Sequence, residues 1–112
     1  MKKIEAVIRP TKLEPLKEAL DAIDVRGMTV YEVMGRGMQK GQTQYYRGQA
    51  HFKDLLEKMK IEIVCADERV DKIIGTIIEV CKTGKAGDGK IFIYPVEKII
   101  RIRTGESGDP AI

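Results

Sequence analysis

Apolar and polar residues alternate in Lys3-Ile4-Glu5-Ala6-Val7 and again in Lys60-Ile61-Glu62-Ile63-Val64, the period-two pattern of a half-buried strand. In both places the period then lengthens. Leu13, Leu16, Leu20 and Ile23 follow the first run, and Val70, Ile73, Ile77 and Val80 follow the second in the same register, without a gap. That spacing lines one face of a helix. The chain is therefore built twice on one plan, a strand followed by an amphipathic helix. Thr11 and Glu14 are spaced as a capping box for the first helix, and Pro15 falls in its first turn, where little is lost. After each helix comes a turn carrying glycine (Gly27; Gly84) and then a further apolar run, Met28 to Val33 and Lys90 to Val96. KIIRIR, Lys98 to Arg103, reads as a short extra strand, and residues 104–112 as a flexible C-terminal tail.

The pattern βαβ–βαβ predicts an α+β fold, the ferredoxin-like split βαβ arrangement: an antiparallel four-stranded sheet with both helices on one face. Alternation puts Ile4, Ala6 and Ile8 with Ile61, Ile63 and Cys65 under the helices. The opposite face is expected to show Val7, Val64, Thr29, Tyr31, Val33, Phe92 and Tyr94, too apolar a set for a solvated face. No third helix is available to cover it. The expectation is a homo-oligomer packed sheet to sheet.

Composition narrows the class without deciding it. At 112 residues the chain is one domain, 1–112, long enough to bury a core without staples. Hydrophobic residues make up 43% and charged residues 33%, as in an ordinary soluble globular protein. The net charge of +3 gives no argument for nucleic acid or a membrane surface. No apolar run approaches the roughly 18 residues of a membrane span. MKKIEAVIRP is too short in its apolar part and too charged for a secretory signal. Cys65 and Cys81 lie in apolar runs with no CxxC pattern, so they read as reduced core thiols of a cytoplasmic protein.

The two halves stop matching in two places. One is Gly35 to Asp54, which has neither strand nor helix periodicity and holds four glycines, four glutamines, two adjacent tyrosines and the lone histidine. A loop of roughly 20 residues in a compact domain is either a misassigned element or a functional arm. The other is TGKAGDGK, Thr83 to Lys90. Gly84 to Lys90 spells GxxxxGK, but Ile91 stands where a P-loop has its hydroxyl, and the segment runs from helix into strand rather than the reverse. Its three glycines still leave backbone N–H groups free to line a concavity, with Lys85 and Lys90 supplying positive charge. The alternative is a floppy connection with solvated lysines. Arg101 and Arg103, on one face of the expected last strand, either fork onto a polyphosphate or form an ordinary charged edge. Lys58 either pairs with Glu57 or Glu62 or holds an anion. Together these residues favour an anionic ligand.

Several segments carry a specific likeness: GMTV (Gly27 to Val30), QKG (Gln39 to Gly41), YRG (Tyr46 to Gly48), KIE (Lys60 to Glu62), TGKAGDGKIF (Thr83 to Phe92) and RIRTGE (Arg101 to Glu106). In these the chain resembles the PII nitrogen-regulatory signal-transduction proteins, over essentially its whole length. The resemblance implies a homotrimer with sheets facing inward, and ATP or ADP in the cleft between neighbouring subunits. It places the nucleotide phosphates against Gly87, Asp88, Gly89 and Lys90 in the phosphate-binding B-loop (83–90), with Arg101 and Arg103 reaching them from the adjoining subunit. Thr29, Gly35, Arg36, Gly37 and Val64 line the rest of that site. Gln39 coordinates Mg²⁺ together with phosphates and 2-oxoglutarate. Lys58 pairs with a 2-oxoglutarate carboxylate while Gly37, Lys40, Gly41 and Gly87 close around it. Residues 35–54 become the effector T-loop, ordered at its base by these metabolites and read by partners through Tyr46, Arg47, Gly48 and His51. An ammonium transporter is the leading partner, since Arg47 matches the loop-tip arginine that plugs the pore, and nitrogen-metabolism enzymes are others.

Three positions depart from the family pattern. His51 stands where enteric-type members carry the uridylylated tyrosine, and Gln49 where cyanobacterial members carry the phosphorylated serine. The expectation is regulation by ligands alone. Met38 replaces an arginine that helps hold phosphates in many members, within the nucleotide-binding set. No nucleophile or triad is evident, so the chemistry reads as recognition rather than turnover. The rivals are a nucleotide-binding regulatory module of similar fold with other targets, a phosphotransfer enzyme and an RNA-binding module. The lone histidine in the loop and the scarcity of aromatics argue against the last two.

Overall fold

The computed structural model of the chain describes residues 1–37, 43–46, 49–52 and 55–112, with only the backbone described for 43–46 and 49–52. In chain order the elements are β1 (Lys2–Ile8), α1 (Leu13–Ala22), β2 (Thr29–Gly35), β3 (Thr43–Tyr46), β4 (Gln49–Phe52), β5 (Leu56–Cys65), α2 (Val70–Cys81) and β6 (Lys90–Pro95). Strands β2-β5-β1-β6 form one antiparallel sheet in that order. Both helices pack on one face. This is the ferredoxin-like α+β layout that the doubled pattern predicts.

The register explains the core. Ile4 pairs with Ile63 on one side and Ile93 on the other, and Ala6 pairs with Ile61 and Ile91. Ile4, Ala6, Ile8, Ile61, Ile63 and Cys65 all point to the helical side and are buried. Leu16 and Leu20 of α1, and Ile73, Ile77 and Cys81 of α2, meet them there. Both cysteines are free thiols, and burial pushes each thiol pKa up. Removing a fully buried leucine or isoleucine from such a core costs about 2–5 kcal/mol.

Local chemistry departs from expectation at four points. The first is the helix entries. A 3-10 turn precedes each helix, at Pro10–Lys12 and Asp67–Arg69, and α1 has no side-chain cap, so the Thr11–Glu14 capping box does not form. Matching bonds close the two turns, Lys12 N–H to Arg9 O at 3.0 Å and Arg69 N–H to Ala66 O at 3.0 Å. Pro10 suits the first position of such a turn with its fixed φ.

The second is the exit from α1. The left-handed residue is Asp24, at φ 63°, and not Gly27. Asp24 N–H bonds Asp21 O and Val25 N–H bonds Leu20 O, the paired bonds of a Schellman motif.

The third is the C-terminus. KIIRIR is not a strand, because the chain reverses on itself after Arg101. Arg101 N–H bonds Glu106 O, Gly105 N–H bonds Arg101 O, and Ile100 bridges Ser107. Gly105 and Gly108 take the left-handed backbone that the reversal needs. Beyond it a 3-10 turn at Asp109–Ala111 brings Ala111 into a buried position, so residues 104–112 fold back rather than trail away.

The fourth is the sheet face away from the helices. Phe92, Tyr94 and Tyr31 are indeed exposed there. However, Lys3, Glu5, Lys60 and Glu62 share that face by register, and they run along its two central strands. Lys3 and Lys60 each approach Glu62 at 4.0 Å, and they lie over the rings of Tyr94 and Tyr31 at 4.9 and 4.7 Å. The alternation of β1 and β5 places charge between the aromatics, so the face is mixed rather than uniformly apolar.

The segment Gly35 to Asp54 shows no strand periodicity in its sequence, yet its described residues include strand. Gly35 closes β2, and β3 pairs with β4 as a separate two-stranded ribbon, Thr43 opposite Phe52 and Tyr46 opposite Gln49. Threonine and tyrosine in TQYY suit a strand. Four residues are too few to show a period.

Candidate functional site

The second helix-to-strand connection is built around one carboxylate. Asp88 Oδ2 accepts from the backbone N–H groups of Thr83 at 2.8 Å and Gly84 at 2.9 Å, and Oδ1 accepts from the Thr83 hydroxyl. Arg9, just beyond β1, donates to Asp88 Oδ1 through Nε at 3.2 Å and to the Ala86 carbonyl through a terminal nitrogen at 2.8 Å. The Thr83 hydroxyl foremost, then these N–H groups and Arg9, hold the Asp88 carboxyl far below the usual range against the opposing effect of desolvation. The carboxylate is thus committed to the loop itself.

Glycine is required where this loop meets the sheet. Gly89 has φ 102°, and a Cβ there would lie 1.7 Å from the Val7 carbonyl oxygen. Gly84 and Gly87 are left-handed as well. Lysine Lys58 ties the loop to β5, donating to the Gly87 carbonyl at 2.6 Å. It therefore pairs with neither Glu57 nor Glu62. Burial first, then the nearby Arg9 charge, push the Lys58 ammonium pKa down, while Asp88 pulls it up.

A cavity of about 360 Å³ opens beside this loop. Gly35, Arg36, Gly37, Lys58, Gly87, Gly89 and Lys90 line it, with Val7, Leu56 and Phe92 as apolar wall. Seven of the residues marked by the sequence thus meet in one place. The arrangement offers glycine backbone beside lysine and arginine, which suits an anion of phosphate or carboxylate type.

Other expected residues do not join it. Thr29 and Val64 line a second cavity of about 680 Å³, with Arg69, Ile99, Asp109 and Ile112 among its other walls. Arg101 sits in the C-terminal reversal, donating to the Ile112 carbonyl at 3.3 Å and lying 4.0 Å from Glu106. Arg103 is exposed on the same turn. The shared strand face expected for the two arginines is absent because the strand is absent. Met38, Gln39, Lys40, Gly41, Arg47 and Gly48 lie outside the described residues. For Tyr46 and His51 only the backbone is described, in β3 and β4, His51 opposite Gln44. Among the described residues, no group of three or more His, Cys, Asp or Glu side chains could hold a metal, and no helix is long and apolar enough to cross a membrane.

Sequence reading missed Arg9 and Thr83. A single arginine after a strand carries no spacing signal, and its partner Asp88 is far along the chain. The only hint was the TxxxxD spacing inside the loop, which suits a side chain turned back on its own backbone.

A family model described as nitrogen regulatory protein P-II matches residues 1–106. The chain belongs to the P-II nitrogen regulatory protein family. The nitrogen regulatory protein P-II of Pasteurella multocida (strain Pm70) is 55% identical over 112 residues, covering all of both chains. The protein of the same name from Cereibacter sphaeroides is 55% identical, and nitrogen regulatory protein P-II 1 of Escherichia coli (strain K12) 54%, again over the full length of both chains. Membership in a family of nitrogen regulators gives the cavity lined by Arg36, Lys58 and Lys90 a context of regulation.

Proposed function

We propose that this protein is a metabolite-gated regulator of nitrogen assimilation. It binds ATP or ADP with its phosphates against Gly87, Gly89, Lys90 and the backbone of Asp88, and it senses 2-oxoglutarate through Lys58. The observation that carries the reading is the convergence of Gly35, Arg36, Gly37, Lys58, Gly87, Gly89 and Lys90 on one cavity. The residues fit an anionic effector, because left-handed glycines and a partly buried lysine form its wall. A Mg²⁺ ion there would be held largely by oxygens of the ligands, as that cation tolerates, with Gln39 as the protein's contribution.

The remaining nucleotide residues are better supplied by a second copy. Thr29 and Val64 line a different cavity, and Arg101 and Arg103 lie on the C-terminal turn. A homotrimer would bring one subunit's turn to its neighbour's loop. The mixed outer sheet face, with its Lys3–Glu62–Lys60 cluster and exposed aromatics, supports packing between copies, because an interface can pair such charges while burying the rings.

On this reading ligand binding selects among states of the T-loop, which targets then recognise. An ammonium transporter engaged through Arg47 and enzymes of nitrogen assimilation are the proposed targets, in the cytoplasm, with the membrane reached only through the transporter. With His51 and Gln49 at the two usual modification positions, control is by ligands without uridylylation or phosphorylation there. Calorimetric titration with ATP, ADP and 2-oxoglutarate, with and without Mg²⁺, tests the central claim. The expected result is that 2-oxoglutarate binds only in the presence of Mg-ATP. Absence of 2-oxoglutarate binding under every condition would remove it.

A further inference from the structure

We infer that Arg9 is a positioning residue for the anion site: its two-pronged grip on Asp88 and Ala86 holds the B-loop in the shape that receives the ligand. Four observations carry this.

The first is geometry. One guanidinium bonds the residues on either side of Gly87, through Nε to the Asp88 carboxylate and through a terminal nitrogen to the Ala86 carbonyl. Gly87 is the residue whose carbonyl receives Lys58. Fixing 86 and 88 therefore fixes the peptide between them.

The second is anchorage. Arg9 leads the 3-10 turn Pro10–Lys12, and Lys12 N–H bonds the Arg9 carbonyl at 3.0 Å. The backbone that launches the side chain is held at the end of β1, the strand whose Val7 carbonyl stands against Gly89. Arg9 and Gly89 are thus two attachments of one loop to one strand end.

The third is burial. The Arg9 and Asp88 side chains are only 24% and 23% exposed, which separates this pair from exposed ion pairs of little consequence.

The fourth is chemistry. A loop with three left-handed glycines has many backbone states open to it. The Thr83–Gly84 end is closed by Asp88 itself, but nothing inside the loop reaches Ala86. A lysine at position 9 would keep the charge yet could not span both acceptors with a planar fork.

Arg9 thus acts through the loop, and the inference rests on the proposed anion-binding role of that loop. Its effect is on affinity more than on the fold, since it belongs to no part of the buried core.

The test compares full-length wild type with Arg9→Lys, Arg9→Ala, Asp88→Asn and the Arg9→Ala/Asp88→Asn double variant. Affinity for Mg-ATP is measured by calorimetry, together with amide exchange of Thr83, Gly84 and Gly87. Arg9→Lys is expected to weaken binding roughly tenfold, the order for losing one charge-assisted bond, and to raise exchange across residues 83–87 with little change in the urea midpoint. The double variant is expected to bind no more than about threefold weaker than the weaker single variant, because both remove the same connection. Wild-type affinity in Arg9→Lys, or fully additive losses in the double variant, would overturn the inference. If Arg9→Ala does not fold, Arg9→Lys alone decides. If wild type binds no nucleotide, the functional reading fails by itself. The exchange data then still decide on Arg9: faster exchange at Gly84 and Gly87 in Arg9→Lys supports the positioning role, and unchanged exchange overturns it.

Discussion

The connection after α1 and the connection after α2 join the same kinds of element, an amphipathic helix and an edge strand, in opposite ways. After α1 the chain turns using its own backbone: Asp24 goes left-handed, and two main-chain bonds back to Leu20 and Asp21 finish the job. After α2 the loop is longer. It contains three left-handed glycines, and a carboxylate at one end binds amides at the other. A connection that has only to reverse the chain satisfies its amides within the helix end. One that lines a cavity with left-handed glycines is held in shape by side chains from inside the loop, Thr83 and Asp88, and from outside it, Arg9 and Lys58.

The sharpest way to break the comparison is to add one methyl group to each. Gly89→Ala would drive a Cβ to within 1.7 Å of the Val7 carbonyl oxygen, whereas at Gly27 nothing lies within 4 Å. Urea denaturation should show Gly89→Ala destabilised by more than about 3 kcal/mol or unfolded, since backbone must move at a strained φ. Gly27→Ala should stay within about 1 kcal/mol of wild type. Similar stabilities for the two would mean the loop is not pressed against β1.

A smaller effect should come from protonating or neutralising Asp88. Its folded pKa is depressed by the Thr83 and Gly84 bonds and by Arg9. The native state therefore holds fewer protons than the unfolded chain, and the contribution is complete above the ordinary carboxylate range. It declines as pH falls from there through the folded pKa. Slowed exchange of the Thr83 and Gly84 amides, followed by NMR, should persist below pH 4 in wild type. In Asp88→Asn it should be largely lost already at pH 7. The first connection, with no such carboxylate bond, should not respond.

The smallest effect is at Asp24. Glycine is more comfortable than aspartate at φ 63°, so Asp24→Gly should stabilise by about 0.5–1 kcal/mol, read as a Tm increase of a few degrees. A decrease would show that the Asp24 side chain contributes more than its backbone angle costs.

The same contrast explains what could be read from the sequence. The stripes Leu16–Leu20 and Ile73–Ile77 and the alternation Ile4–Ala6–Ile8 announce themselves because burial repeats with the period of the element. Gly87, Gly89 and Lys90 were legible through composition, since glycine and lysine gathered in one loop carry their own chemistry, whereas Gly35, Arg36 and Gly37 were marked only by the family resemblance. Arg9 was not legible, because its meaning lies in a contact with a loop far along the chain. Nor was the reversal after Arg101: KIIRIR has strand-like residues, and the glycines that turn it come later, at positions 105 and 108. The pairing of β3 with β4 escaped because four-residue strands are shorter than the window in which a period can be seen. The helix entries misled in the other direction. Thr11 and Glu14 had the right spacing for a cap, but Pro10 made a tighter turn available.

The two cysteines have a consequence of another kind. Cys65 and Cys81 are free, buried in the same core cluster and raised in pKa by that burial. A thiol reagent attacks the thiolate, so neither should react at neutral pH while the core stays shut. The molecule thus carries its own clock for the opening of its interior. The rate at which these two sulfurs are alkylated measures how often the helices lift from the sheet, and any effector that slows that rate has tightened the whole domain.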